Sequence, residues 1–500
     1  MKTLGQIAAL VPGAEIIGSA ETPVTSLAHD SRKVTAGTLF ICIPGAHVDG
    51  HSFIPQAVAA GACAILTTRR DAPVPEGIAV LRVEDLDAAL TVVAPAFYDY
   101  PARSMRVIGI TGTNGKTTTS YITRAILRKA GYKVGLIGTI QILIEEEKRA
   151  IHNTTPDVVE LQSTLAAMRD RGMDYVVMEV SSHALAENRV AGIEFDTAVF
   201  TNLTQDHLDY HKTFDNYRLA KARLFELVAQ KGCKEGKMAI ANLDDPSSRV
   251  MLAHADCPHM TYAIEEDAHL IAKNVHVHAE GADFTLKHKD LGEMTLSMHI
   301  TGIFNVYNVM AAVCAAVAEH VPAETVREAL EEFTGVPGRF ELVRGGQGFS
   351  VVVDYAHTPD GVENVLETAR KITKNRIIAV FGCGGDRDRT KRPIMGRIAA
   401  TLADVVIATS DNPRTEDPRA ILAEVETGVI EAIGDRPYEK IVDRRQAIFR
   451  AIELAKEGDV VVILGKGHED YQILKDKTIH FDDKEVAREA IAARLAKEGA

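Results

Sequence analysis

The sequence predicts an α/β protein of three domains: a small N-terminal α/β domain, a central P-loop-type domain on a mostly parallel sheet, and a C-terminal Rossmann-like doubly wound domain. Three observations point there. Short apolar runs alternate with helical patterns from about residue 102 to the C-terminus, the rhythm of parallel sheets with helices on both faces. One such run opens into a Gly-Lys-Thr turn and then a helix. The chain has 500 residues, enough for about three cores at roughly 150 residues each.

The elements fall into three blocks, 1–100, 101–333 and 334–500. The first holds the polar turn Asp30-Ser31-Arg32, an apolar run closed by Pro44-Gly45, and the strand-like Ala64-Ile65-Leu66. It ends near Pro101, which disfavours helix at the preceding residue. The second opens with a buried-strand pattern at 106–110, a Gly-rich turn, and a helix to Lys129 stopped by Gly131. Strand-like runs recur at 133–137, 175–180, 197–200 and 238–241, with Val158, Leu161, Leu165 and Met168 at helical spacing. Between about 270 and 300 the period becomes two, in Val275/Val277, Phe284/Leu286 and Met294/Leu296/Met298, which predicts an antiparallel insertion. The third block repeats the βα rhythm with strands at 350–353, 376–381, 404–408, 440–442 and 459–464.

Composition narrows the function classes. At 46% hydrophobic and 25% charged, the chain is neither disordered nor fibrous. A net charge of −13 argues against broad binding to nucleic acid or anionic membrane, while leaving room for a local phosphate pocket. The cysteines are scattered without a CxxC pair, as expected of reduced thiols in the cytoplasm. The apolar run at 7–11 is too short for a signal peptide, and no stretch approaches the roughly 20 apolar residues of a membrane helix.

The chemistry concentrates after strand ends. In Thr111-Gly112-Thr113-Asn114-Gly115-Lys116-Thr117-Thr118-Thr119, glycines let backbone N–H groups face a polyphosphate, Lys116 would reach the outer phosphates, and Thr117 would ligate Mg²⁺. The strict G-x-x-x-x-G-K-[ST] pattern needs Gly at 110, where this chain has Ile110. The run at 175–180 delivers Glu179 and then Ser181, and the next leads to a stretch from Asn202 to His211 rich in Asp and His. Glu179, His207 and Thr117 suit a hard cation that completes its shell with water and phosphate, although this stretch alone equally fits a solvated loop. In the third block Asp354 is placed to bond a ribose. Arg387 and Arg414 offer planar forks for carboxylates, and Asp411 and Glu469 offer acceptors for ammonium groups. That set suits a zwitterionic amino acid, although each loop alone is also an ordinary turn with salt bridges.

The spelling Thr-Gly-Thr-Asn-Gly-Lys-Thr resembles the ATP loop of the Mur ligases, ATP-dependent amide-bond-forming enzymes of bacterial cell-wall synthesis whose relatives include folylpolyglutamate synthase. The resemblance implies ATP contacts at Gly112, Thr113, Asn114, Gly115, Lys116, Thr117, Thr118, Asn305, Arg339 and Asp354. It implies Mg²⁺ at Thr117, Glu179 and His207, and a catalytic set of Lys116, Glu179, His207 and Lys221. Lys221 matches a lysine that is carbamylated to N6-carboxylysine; read from the residues alone it is an exposed helix lysine. Ser31, Asn153, Thr154, Thr155, Ser181 and Arg189 match positions that hold the UDP-sugar dipeptide. Arg387, Asp411, Asn412, Pro413, Arg414, Gly465 and Glu469 match diaminopimelate positions. Asp411-Asn412-Pro413-Arg414 is similar to the signature of meso-diaminopimelate-adding members; lysine-adding members usually lack that arginine.

The blocks thus imply an N-terminal uridine-binding domain, a central ATP-binding domain and a C-terminal amino-acid-binding domain. The implied substrates are ATP, UDP-N-acetylmuramoyl-L-alanyl-D-glutamate and meso-diaminopimelate, joined through an acyl phosphate in cytoplasmic peptidoglycan-precursor synthesis. A monomer that binds neither nucleic acid nor membrane is expected. A lysine-adding homologue or a folylpolyglutamate synthase are the nearest alternatives, and Arg414 and the uridine-type first block argue against both. An ATP-hydrolysing switch would leave the charged loops of the third block without a role.

Overall fold

The structure, a computed structural model, describes residues 1–44, 49–151, 153–278, 280–373 and 375–498. Gly45 of the Pro44-Gly45 turn lies outside the described residues. The chain forms two compact units. One comprises Met1–Ile108, Lys133–Asp196 and Gln230–Lys237; the other comprises Gly109–Tyr132, Thr197–Ala229 and Met238–Ala500.

In the first unit, a five-stranded sheet runs in the order Glu15–Ile17, Ala79–Arg82, Ala62–Thr67, Thr38–Ile41, Ser26–Ala28. Its pairs are parallel except the first, which is antiparallel. Leu39, Ile41, Ala64, Leu66 and Leu81 bury one face against helix Leu86–Phe97. A second sheet segment places Tyr175–Glu179 parallel to Val134–Ile137, with Ile142–Ile144 antiparallel at its side. Helix Val158–Asp170 starts at Asp157, whose carboxylate accepts from the N–H groups of Val159 and Glu160. The Asp157 carboxylate also pairs with His29 at 3.0 Å.

In the second unit, Thr197–Phe200, Met238–Asn242 and His259–Ala263 are parallel. They continue into the expected antiparallel meander, Leu270–His278, Gly281–His288 and Gly292–Met298. Phe284, Leu286, Met294, Leu296 and Met298 form its buried face. Val275 and Val277 are only half-buried, because the ladder shifts register between Lys273 and His276.

The third block forms a six-stranded sheet in the order Glu341–Leu342, Ser350–Asp354, Val460–Leu464, Ile377–Phe381, Val405–Ala408, Tyr438–Lys440. All its pairs are parallel except the first. Valines and isoleucines alternate between two cores, one on each face, as a doubly wound sheet requires. The last strand covers Tyr438–Lys440 rather than 440–442, because Asp443 caps helix Arg444–Leu454 and draws the preceding residues into the connection. Register aligns Asp354 with Leu464 and Phe381 with Ala408, so the four charged loops leave one sheet edge at one level.

A buried ion pair anchors that edge. Arg444 donates to both Asp483 oxygens, at 2.7 and 2.6 Å, and to the Leu464 carbonyl at 2.9 Å, and neither side chain of the pair is exposed. Asp483→Ala is expected to cost about 3–5 kcal/mol, because it strands a buried guanidinium. A packed Arg444→Met/Asp483→Leu pair should cost much less, and chemical denaturation of the two variants measures the difference.

Candidate active site

The strand Arg106–Thr111 ends in a loop that only glycine can make at two places. Gly112 has φ +149° and Gly115 φ +85°. A Cβ at Gly112 would stand 1.9 Å from the Thr201 hydroxyl, and one at Gly115 would stand 2.2 Å from Asn308 Oδ1. The loop is clamped from the next strand's end. The Thr113 N–H donates to the Asn202 carbonyl at 2.8 Å and the Asn114 N–H to Asn202 Oδ1 at 2.9 Å, while the Thr201 hydroxyl donates to the Asn114 carbonyl at 2.6 Å. Helix Lys116–Lys129 then presents its N-terminus to the loop, with Thr117 and Thr118 buried.

Lys116 Nζ folds onto the carbonyls of Gly112 and Thr113 at 2.9 and 2.8 Å. Lys221, on helix Phe214–Ala229, donates to the same Gly112 carbonyl at 2.8 Å and lies 4.7 Å from the centre of the Tyr217 ring. The residue-only expectation of an exposed lysine is therefore corrected: Lys221 is 2% exposed. The amphipathic helix turns it inward, and burial, reinforced by the Lys116 ammonium, pushes its pKa far below the lysine range. Tyr217 bridges to the Thr113 hydroxyl at 3.1 Å. His207 has a left-handed backbone, φ 55°, and lies 3.3 Å from Asp206. Burial opposes the Asp206 charge, but His207, Lys391 and His357 hold its carboxyl below the usual range.

Two other predicted nucleotide positions, Arg339 and Asn305, reach this loop, Asn305 through Asn308. Arg339 donates to the Thr117 hydroxyl at 3.0 Å, and Asn305 accepts from Asn308, the residue packed on Gly115, at 3.0 Å. Asp354 is buried, with both oxygens bonded to the N–H groups of Phe340 and Ala356 at 2.6 and 2.7 Å. Burial raises its pKa in spite of Arg339. Asp360, which carried no expected role, accepts from Asn114 Nδ2 at 2.5 Å.

In the first unit, Glu179 is fully buried and accepts from the N–H and hydroxyl of Thr139, both at 2.9 Å. Thr139 had no sequence signal beyond following an apolar run. The Thr155 hydroxyl donates to the Glu179 carbonyl at 2.9 Å and accepts from the Ser181 N–H at 3.1 Å, while Arg189 donates to the Thr155 carbonyl at 3.2 Å. Thr154 sits 3.1 Å from the Thr139 hydroxyl, and Asn153 is exposed. Ser31 is buried and donates to Gln56 at 3.1 Å.

At the edge of the third-block sheet, Arg414 has φ 52° and donates to the Gly385 carbonyl at 2.9 Å. A Cβ at Gly384 would lie 2.9 Å from Arg414 Nη1 and 3.7 Å from Arg387 Cγ, so the two side chains flank one glycine, although Arg387 as a residue is exposed. Burial, and then the Arg414 charge, push the Arg387 pKa down. A Cβ at Gly385 would stand 1.9 Å from the Pro413 carbonyl, and one at Gly465 would stand 2.4 Å from Asp411 Oδ2. Asn412 donates to Glu469 at 2.8 Å. Among the described residues, no group of three or more His, Cys, Asp or Glu gathers as a metal centre.

Comparison with known proteins gives the family. Residues 110–316 match the Mur ligase middle domain, 338–467 the Mur ligase glutamate ligase domain, and 23–98 the Mur ligase family catalytic domain. The chain belongs to the Mur ligase family and is an ATP-dependent ligase that forms amide bonds. It is similar to the UDP-N-acetylmuramoyl-L-alanyl-D-glutamate–2,6-diaminopimelate ligase of Clostridium botulinum, at 47% identity over 94% of this chain and 95% of that one. The ligase of the same name from Geobacillus thermodenitrificans is 47% identical over 97% and 98%. A solved structure of a ligase of that name is 33% identical, with TM-score 0.66 over 99% of this chain and 100% of that one. MurF from Acinetobacter baumannii, at 18% identity, shares the fold with TM-score 0.69 over 99% and 98%. Among the described residues no helix is long and apolar enough to cross a membrane.

His468 supplies a pH test. Burial first, and then the Arg339 charge, push its imidazole from 6.5 down to about 3. Between those values the unfolded chain binds a proton that the folded chain refuses, so stability falls as pH drops from 6.5 towards 3. His468→Asn is expected to flatten that part of the stability–pH curve, read by chemical denaturation at several pH values.

Proposed function

We propose that the chain joins meso-diaminopimelate to the D-glutamate side-chain carboxylate of UDP-N-acetylmuramoyl-L-alanyl-D-glutamate, in cytoplasmic peptidoglycan-precursor synthesis. The observation that carries this is the Asp411-Asn412-Pro413-Arg414 turn, which brings Arg414 to the same glycine, Gly384, that Arg387 flanks, on the sheet edge that also bears Asp411 and Glu469. Diaminopimelate differs from lysine by a second carboxylate, the group a planar guanidinium fork suits best. The names of relatives 47% identical over nearly the whole chain support the same assignment.

Amide formation in water is uphill, so the carboxylate is first activated. It attacks the γ-phosphorus of ATP, giving an acyl phosphate and ADP. The diaminopimelate amine adds to the acyl carbon, loses a proton, and the tetrahedral intermediate expels phosphate to leave the amide. Lys116 and the N–H groups at the helix N-terminus, residues 115–118, neutralise charge on the phosphoryl group in flight, while the Thr113 and Asn114 N–H groups hold the loop to Asn202. Asn305, Arg339 and Asp354 complete the ATP contacts.

Ser31, Asn153, Thr154, Thr155, Ser181 and Arg189 hold the UDP-sugar dipeptide. Arg387, Asp411, Asn412, Pro413, Arg414, Gly465 and Glu469 hold diaminopimelate. These roles assign 1–100 to the uridine end, 101–333 to ATP and 334–500 to the amino acid. The enzyme acts as a monomer, without nucleic acid or membrane.

The Thr117 hydroxyl and the Glu179 carboxylate are hard oxygen donors suited to Mg²⁺, and with the borderline His207 imidazole they would hold it, phosphate and water completing its shell. Bound there, Mg²⁺ supplies charge neutralisation on the phosphates. Lys221 is buried, and its depressed pKa leaves a neutral amine able to add to CO₂, releasing a proton and forming the carbamate. Carbonyl-labelled ¹³CO₂ is expected to give a carbamate NMR signal that Lys221→Arg abolishes.

Phosphate release with ATP, Mg²⁺ and the UDP-muramoyl dipeptide tests the assignment directly. Release should require meso-diaminopimelate in preference to L-lysine, and Arg414→Ala should lower kcat/KM for diaminopimelate by at least about tenfold. Equal use of lysine would overturn the specificity, and release indifferent to any amino acid would overturn the ligase assignment in favour of a nucleotide switch.

A further inference from the structure

Lys466 lies in the loop Gly465–Glu469 between two glycines with left-handed backbones, φ +115° at Gly465 and +54° at Gly467. Neither glycine tolerates a side chain. A Cβ at Gly465 would meet Asp411 Oδ2 at 2.4 Å, and one at Gly467 would meet Tyr355 Cβ at 2.6 Å. The backbone is thereby held so that the intervening lysine turns inward, and its side chain is 0% exposed.

A buried ammonium is costly unless its donors are satisfied. Here they meet Glu469 Oε2 at 3.0 Å, Asn412 Oδ1 at 3.5 Å and the carbonyl of Tyr471, over whose ring the amine sits at 5.3 Å. Asn412 itself donates to the same Glu469 oxygen at 2.8 Å and accepts from the Ile473 N–H at 2.9 Å. The ammonium therefore joins the two loops through Asn412 and Glu469, and its hydrogens are committed within the protein.

We infer that Lys466 is a positioning residue for amino-acid selection: it fixes the side chains of Asn412 and Glu469 in one constellation and balances the Glu469 charge, without touching substrate. This rests on the proposed reading that these loops receive diaminopimelate. Among the described residues no hydrogen bond links Lys466 to the phosphate loop, so its effect should be confined to one substrate.

Initial rates of Lys466→Met test it, with each substrate varied in turn. KM for meso-diaminopimelate should rise about 10- to 100-fold, the range expected when a charge-assisted hydrogen-bond anchor is lost. KM for ATP and for the UDP-muramoyl dipeptide should stay within about twofold of wild type. Combined with Glu469→Gln, the double variant should lose little more than Glu469→Gln alone, because the lysine acts through that carboxylate. If Lys466→Met does not fold, the same split is read from Lys466→Gln, whose amide keeps a donor for the Tyr471 carbonyl. An unchanged KM for diaminopimelate in a folded variant, equal rises for all three substrates, or additive losses in the double variant would each overturn the inference while leaving the ligase reading intact. Wild-type enzyme that turns over without diaminopimelate would overturn both.

Discussion

The Gly112 carbonyl oxygen accepts from two lysine amines, Lys116 at 2.9 Å and Lys221 at 2.8 Å, one at the head of a helix and the other brought in from a separate helix. Burial first, and then repulsion from the Lys116 ammonium at the same oxygen, hold the Lys221 amine far below its ordinary pKa. The phosphate loop, helix Phe214–Ala229 and the strand end at Thr201-Asn202 can then be viewed as one arrangement around a carbonyl that must stay where it is. Gly112 is what makes this possible, since any Cβ there would collide with the Thr201 hydroxyl that fastens the other side of the loop. The same burial that disfavours a charged Lys221 favours a neutral amine, which is why the carbamate proposal and the geometry of the loop are one question.

The third block reaches the loop through polar contacts. Arg339 bonds Thr117 and Asp360 bonds Asn114, so the residues proposed to frame ATP come from both sides of the connection near residue 333. The Tyr355 ring carries Arg339 on it at 4.6 Å and His468 at 4.9 Å, and His468 adjoins Glu469 in the amino-acid loop. Tyr355 thus lies between Arg339, proposed to contact ATP, and the loop proposed to hold diaminopimelate. An acyl phosphate needs such closeness, because the amine must reach it before water does.

Much of this was legible in the sequence because it depends on local pattern. Strands such as Ile377–Phe381 and Val460–Leu464 are continuous apolar runs, and polar loops follow them at the edge where parallel sheets place ligands. What was not legible depends on which way a helix or loop faces. Lys221 and Lys466 are ordinary lysines by composition, and only packing shows that both are buried. The Arg444–Asp483 pair joins residues 39 positions apart, each of which alone reads as a helix-terminal charge. Thr139 acts through hydrogen bonds to Glu179 and Asp360 through one to Asn114, contacts that leave no periodicity to detect. Tyr438–Lys440 was displaced by two residues because an edge strand lacks the apolar run that marks its neighbours.

The buried charges follow a common logic. Arg444 with Asp483 and Lys466 with Glu469 both lie just behind the edge from which the amino-acid loops emerge. A hydrophobic pair there would pack as well and could stabilise more. An ion pair adds direction: Arg444 fills its fork with Asp483 and the Leu464 carbonyl, and Lys466 spends its donors on Glu469, Asn412 and the Tyr471 carbonyl. Each pair therefore constrains the start or the body of a loop that must present charged groups at set positions. Misplaced charge in such a loop would cost more than packing returns, because recognition of a zwitterion by paired arginines and carboxylates depends on where each charge stands.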